Sequence, residues 1–160
     1  MIIRQVEMED FDRIMEIEQL SFTPEEAATE VAFVNRIRMI PDSFLVAVEE
    51  GGIVGFINGP VMDNAYITDD LFSETKENPE NGGVQSILGL AVHPTHRKKG
   101  IASILLSNLE KNAALKNRTA VTLTCLDSLI PFYEKHGYQN EGVSESEHGG
   151  EVWYNMTKRL

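Results

Sequence analysis

The chain of 160 residues has a single cysteine, Cys125, so no internal disulfide can staple it. No apolar run approaches the ~20 residues that a membrane-spanning helix needs. The opening residues, M-I-I-R-Q-V-E-M-E-D, lack the basic-then-apolar layout of a signal peptide. Positive charge is scarce: 14 Lys and Arg stand against 25 Asp and Glu, a formal net charge of −11. Such a balance argues against nucleic acid, whose phosphates would be repelled, and is compatible with cationic substrates. No Cys/His or carboxylate spacing resembles a metal site. Neither G-x-x-x-x-G-K-[ST] nor a strand followed by G-x-G-x-x-G is present, which removes the two commonest nucleotide-binding loops. These absences predict a cytoplasmic protein with a buried, reduced thiol, bound to no metal, membrane or nucleic acid. Hydrophobic content of 42% and charged content of 24% are ordinary for a globular chain. The length is that of one domain, residues 1–160.

The informative stretch is Val84 to Leu115. Ile87 to Val92 is an apolar run of strand length, His93 to Lys99 is a polar, basic turn, and Gly100 follows. Beyond it, Ile104, Leu105, Leu109 and Ala113 recur at helical spacing. The unit reads as strand, tight basic turn, helix. A helix start leaves its first amides without intrahelical partners and carries partial positive charge, so it attracts anions, phosphate above all. Gly100 lets backbone approach a ligand and Ala102 keeps the next turn thin. Arg97, Lys98 and Lys99 add attraction within an acidic chain.

The segment L-A-V-H-P-T-H-R-K-K-G-I-A resembles the acetyl-CoA signature R/Q-x-x-G-x-G/A of the GNAT superfamily of N-acetyltransferases, with Arg97, Gly100 and Ala102 as its terms. The resemblance implies that the turn Arg97, Lys98, Lys99, Gly100, Ile101, Ala102 holds the pyrophosphate of acetyl-CoA. It implies that the strand end Leu90, Ala91, Val92 binds the pantetheine arm. It also implies the GNAT acyl-CoA N-acyltransferase fold, an α/β (α+β) architecture. Its mixed, twisted seven-stranded sheet carries about four helices in the order β-α-α-β-β-β-α-β-α-β-β, and its two central parallel strands splay around the thioester.

The rest of the chain fits that order. Ile2, Ile3 and Val6 predict a first strand, and Phe11, Ile14, Met15, Ile17 and Leu20 a helix. Thr23-Pro24-Glu25-Glu26 reads as a capping box opening a second helix towards Met39, with Val31, Val34, Ile37 and the Arg38 stem inward. Phe44–Val48 and Ile53–Val61 are strands joined by the hairpin turn Glu50-Gly51-Gly52. Asp63 to Gly83 has no period and is expected to be a functional loop. Thr119–Leu126 alternates as a strand, Leu129–His136 is a short helix stopped by Gly137, and Tyr138–Val143 and Val152–Met156 close the sheet.

Acetyl transfer to an amine requires loss of an amine proton, stabilisation of the carbonyl oxygen and protonation of the leaving thiolate. Tyr133, in L-I-P-F-Y-E-K-H-G-Y, matches the family position that points at the CoA sulfur and is the candidate acid. Its structural alternative is a tyrosine packed on the core. The family's fourth strand is bulged, so the resemblance makes the backbone N–H of Leu90 or a neighbour the candidate oxyanion donor; Gly89 fits such a bulge, its structural alternative being a glycine that makes room for packing. The motifs C-L-D-S-L-I-P-F-Y-E-K-H-G-Y, L-A-V-H and E-E-G-G-I-V-G-F-I are most similar to the arylalkylamine (serotonin) N-acetyltransferase branch. In that branch two histidines relay the amine proton; here Ser86 and Leu88 stand at those positions. Ser86 is therefore a candidate only for ordering a water in a proton path. Glu26, Asp69, Asp70 and His93 are further candidates whose structural roles are a capping box, a solvated loop and a His-Pro turn. His96, His136 and His148 read as surface or turn residues. The resemblance implies transfer of acetyl to a primary amine of a small molecule, by direct attack in a ternary complex. The alternatives are a peptide N-terminal or protein lysine acetyltransferase, and a CoA-binding module without catalysis. Phe44, Phe56 and Trp153 serve either the core or an interface, so the chain is read as a monomer or homodimer.

Overall fold

A computed structural model describes residues 1–160. The strands are β1 (Ile2–Gln5), β2 (Phe44–Glu49), β3 (Gly52–Asn58), β4 (Val61–Met62), β5 (Val84–Ile87), β6 (Gly89–Val92), β7 (Ala120–Cys125), β8 (Gln139–Val143) and β9 (Tyr154–Arg159). The helices are α1 (Phe11–Ser21), α2 (Glu30–Met39), α3 (Ile101–Leu115) and α4 (Ile130–Lys135). The expected strand order is present, but two of the seven expected strands are broken. Ile53–Val61 divides at Gly59-Pro60 into β3 and β4, and Val84–Val92 divides at Leu88 into β5 and β6.

Those two breaks face each other and split the sheet. One half runs β1-β2-β3-β6 and the other β4-β5-β7-β9-β8. Ile57 is opposite Leu90 in the first half, and Val61 is opposite Gln85 in the second. Pro60 has no N–H to give to a ladder. Gly59 packs so tightly on the Ser86 carbonyl that a Cβ there would collide with it. Around the break, Leu88 N–H donates to Asn58 O at 2.8 Å although Asn58 is already opposite Gly89. Two residues thus oppose one, the bulge expected at Gly89. β5 runs parallel to β7 from Val84/Ala120 to Ile87/Leu123. Past Leu88 the chain turns to β3, while β7 continues against β9 alone. The gap between β6 and β7 is the splay.

The sheet is covered on both faces. Along β2, Leu45 and Ala47 join the cluster under α3 with Leu105, Leu106, Leu109, Val121 and Leu123. Phe44 and Val46 point the other way, to α1 and α2, as strand alternation requires. There Phe33, Phe44 and Phe56 form a triad with centroids 5.6 to 5.9 Å apart, Phe33 edge-on to Phe56 and both tilted against Phe44. No helix is long and apolar enough to cross a membrane.

Three local expectations are corrected. The Thr23–Glu26 box forms, with Thr23 Oγ1 2.8 Å from Glu26 Oε1, but it closes a single turn rather than starting α2. The Ala28 N–H is held by Glu18 instead, and Thr29 is the true N-cap, accepting from Ala32 N. On α2 the inward face is Ala32, Phe33, Arg36 and Ile37, while Val31 and Arg38 are exposed. On α3 Leu106 is buried and Ile104 faces outward. The Asp63–Gly83 loop, expected to be functional, is tied to its surroundings: Thr75 N–H and hydroxyl bind Asn35, and Asp69 accepts from Ser146 and the Glu147 N–H.

Candidate active site

The basic turn folds around two left-handed residues. Lys98 has φ 66° and Gly100 φ 78°, and Gly100 is the N-cap of α3. Because glycine has no capping side chain, no side chain satisfies the opening of this 15-residue helix. Its first intrahelical bond is Ile104 N–H to Gly100 O, which leaves the Ile101, Ala102 and Ser103 amides for a ligand. A Cβ on Gly100 would meet nothing within 4 Å, so the approach to these amides is open. The turn forms one wall of a groove whose other residues are Leu90, Ala91, Val92 and Phe132. Polar amides at one end and an apolar trough along a strand edge fit a pyrophosphate and its pantetheine tail. The Arg97 side chain does not face this groove as a free cation. Its Nε donates to Val92 O at 3.0 Å and a terminal nitrogen to Ser21 Oγ at 3.1 Å, tying the strand end to α1.

The groove continues at Leu90 into a cleft between the splayed strands. His93 N–H donates to Val54 O at 2.7 Å. Strand alternation then turns the Ala91 amide to β3 and the Leu90 amide into the splay. Gly89, Leu88, Thr124, Cys125 and Tyr133 also line this part. Tyr133 is buried, and its ring packs edge-on against Phe132 and Tyr138 at centroid distances of 5.0 and 5.6 Å. Burial, and the neighbouring Cys125, push its phenol well above the usual range, so it holds its proton at neutral pH. Burial and Asp127 push the Cys125 thiol up to about 11, so it is protonated and a poor nucleophile. Ser86 is not at the cleft. It is fully buried and donates to Pro60 O at 2.6 Å, so its proton is already placed and the expected water-ordering role has no support.

The far side of the cleft comes from segments distant in sequence. Phe22 ends α1; Glu26 and Ala28 belong to the capped turn; Phe72 comes from the long loop; His148 and Trp153 come from the tip between β8 and β9. His148 stacks on Phe72 with centroids 4.5 Å apart and its Nε2 lies 2.7 Å from Glu26 O. Trp153 donates to His148 O at 2.6 Å. His148, in the turn at the tip, is thus also part of a wall that joins three loops. His136 bridges Phe132 O and Ser103 Oγ, and His93 closes its own turn through Thr95. Asp69 and Asp70 brace loops outside the cleft.

Two cleft residues escaped the sequence reading. Glu18 is 5% exposed and Arg36 2%. Glu18 Oε2 accepts from Ala28 N–H at 2.8 Å, but its Oε1 has no partner. Burial pushes the carboxyl up to about 7, against the pull of the Ala28 amide and the Arg36 charge. Arg36 donates to Asn58 Oδ1 at 3.3 Å and Phe72 O at 2.9 Å, its Nε is unpartnered, and burial lowers it to about 10. A signal was available. Glu18 lies four residues after Ile14 and three after Met15, and Arg36 three after Phe33, so helical spacing alone puts both on inward faces.

A bulged strand, its splayed parallel neighbour and an uncapped glycine-led helix start define the class. Residues 41–140 match the family model described as Acetyltransferase (GNAT) domain, and the chain belongs to that family. It is 36% identical over 110 residues to the serotonin N-acetyltransferase of Mesocricetus auratus, covering 66% of this chain and 50% of that one. It is also 37% identical over 76 residues to the glucosamine 6-phosphate N-acetyltransferase of Schizosaccharomyces pombe, covering 48% of this chain and 68% of that protein. The chain spans about half the length of the serotonin N-acetyltransferases it matches. Among solved structures, the GphF GNAT-like decarboxylase in complex with isobutyryl-CoA superposes with a TM-score of 0.85 at 18% identity, over 99% of both chains. That is a likeness of fold.

Proposed function

We propose that the protein is an acetyl-CoA-dependent N-acetyltransferase that acetylates a primary amine of a small molecule by direct attack in a ternary complex. The observation that carries this reading is one continuous path. The open α3 amides and the Leu90–Val92 trough lead to the splay at Leu90 and Tyr133, which forms one side of the walled cleft. The pyrophosphate rests on the Ile101 and Ala102 amides, with Lys98 and Lys99 beside it. Pantetheine lies along Leu90, Ala91 and Val92. The Leu90 N–H meets the thioester oxygen as negative charge grows there. Tyr133 gives its proton to the departing sulfur: a phenol that stays protonated in its buried site is matched to a thiolate whose parent acid lies near ~8.5.

A wall of Phe22, Phe72, His148 and Trp153 supports a small acceptor with an apolar body. The acidic surface supports a cationic one. The buried, protonated Cys125 fits the reducing cytoplasm. The test is release of free CoA from acetyl-CoA with arylalkylamines, polyamines, aminoglycosides and short peptides, for the wild-type protein and Tyr133→Phe. Amine-dependent release that falls by about 10²-fold in the variant is expected. Binding of acetyl-CoA with no release for any amine would replace this reading with a CoA-binding module.

A further inference from the structure

We propose that Glu18 is the catalytic base, taking the ammonium proton of the acceptor through its free Oε1. The inference rests on the transferase reading above and supplies the proton acceptor that Ser86 and Leu88 cannot. Oε2 is fixed by the Ala28 N–H, so the carboxylate has one oriented end and one free end. The group lines the acceptor side of the cleft and is almost fully buried. A buried carboxylate oxygen without a partner is costly unless a ligand completes it. Glu18 differs from the other ionisable groups that line the cleft. Arg36 remains cationic and spends its terminal nitrogens on Asn58 and Phe72. Glu26 and His148 are only half-buried, with Glu26 Oε1 on Thr23 and one His148 ring nitrogen on the Glu26 carbonyl, and Tyr133 and Cys125 are protonated. Arg36 makes no ion pair with Glu18 and acts on it only at range. The carboxyl therefore changes charge around pH 7, where a base must be free to accept and release a proton.

The step balances as follows. The ammonium gives one proton to Glu18 Oε1, and the freed nitrogen lone pair attacks the thioester carbonyl carbon. The C–N bond forms and the C–S bond breaks. The departing sulfur takes the Tyr133 phenolic proton, and the second surplus nitrogen proton restores that phenol. The products are the amide, the free thiol of CoA and one proton on Glu18, which passes to water when the cleft reopens.

The experiment uses the full chain, acetyl-CoA and phenylethylamine as the probe amine. In wild type, kcat/KM should rise with pH through a limb near 7. In Glu18→Gln, which can still accept the Ala28 hydrogen bond, kcat at neutral pH should fall by about 10²-fold, and the limb should give way to a steady rise with hydroxide. An independent readout is the carboxyl carbon resonance of glutamate-labelled protein. The signal missing in Glu18→Gln should titrate near 7, with or without turnover. A variant that is active with the wild-type limb intact overturns the role of Glu18 alone, as does a Glu18 resonance titrating in the ordinary carboxylate range. A wild-type protein inactive towards every amine overturns the transferase reading and, with it, this role. Thermal melts distinguish misfolding from lost chemistry, since Glu18→Gln should be at least as stable as wild type above pH 7.

Discussion

The groove proposed for the donor and the cleft proposed for the acceptor are adjacent and differ in almost every physical respect. The groove comes from one stretch of chain, Leu90 to Ser103 with Phe132, and presents mainly backbone. The cleft draws side chains from α1, α2, three loops and both splayed strands. The groove's polar groups are the free amides of a helix start, which water can reach. Those of the cleft are buried carboxylate and guanidinium groups with unpartnered atoms. One half binds by main-chain geometry at little cost to the fold. The other stores unfavourable burial that only a ligand relieves.

The sharpest test of that difference is stability without ligand. Glu18 sits near 7 when folded against an ordinary 4.5, so the folded state holds the extra proton between those values. Stability contributed by this group is therefore greatest below 4.5, declines as pH rises towards 7, and stays low above it. The gap corresponds to about 3 kcal/mol at ~1.4 kcal/mol per pH unit, as an upper figure. Glu18→Gln should recover much of it at pH 8 and almost none near pH 4, read from urea melts at both values. Equal gains at both pH values would mean the cleft stores no charge penalty.

A smaller effect is expected in the groove. Gly100→Val places a β-branched residue at φ 78°, a strain of about 1–2 kcal/mol. The KM for acetyl-CoA should rise about tenfold, with little change in the KM of the amine. A rise in the amine KM instead would break the division of labour between the two halves. Smallest is Lys98→Ala with Lys99→Ala. Both side chains are exposed, so the loss in acetyl-CoA affinity should be a few-fold at low ionic strength and vanish in high salt.

The same contrast explains what could be read from residues alone. The groove was legible because a strand end, a basic turn, Gly100 and a helix start are local and contiguous. The anion site they make uses amides that any sequence provides. Even there, the Arg97 side chain is a brace rather than a free cation, because Val92 O and Ser21 Oγ, seventy-six positions apart from it in the second case, lie within reach. The cleft was largely illegible. Glu26 and His148 are paired across 122 positions, and Phe72 and His148 stack across loops that have no period to read. The α2 start was misplaced because the Thr23 box satisfies a single turn as well as it would a helix. The loss of the Ala28 N–H to Glu18 was a tertiary event.

The sequence by itself determined most of the strands and helices and the strand–turn–helix with its open, glycine-led start, because each depends on neighbours a few residues apart; the bulge at Gly89 followed from the family resemblance. Tertiary structure alone decided that two strands break opposite each other at Gly59 and Leu88, that Ser86 is spent on Pro60, and that Glu18 ends with one oxygen bound and one free. Those outcomes depend on which buried group finds a partner first, and the candidates for partnership lie ten to more than a hundred residues away.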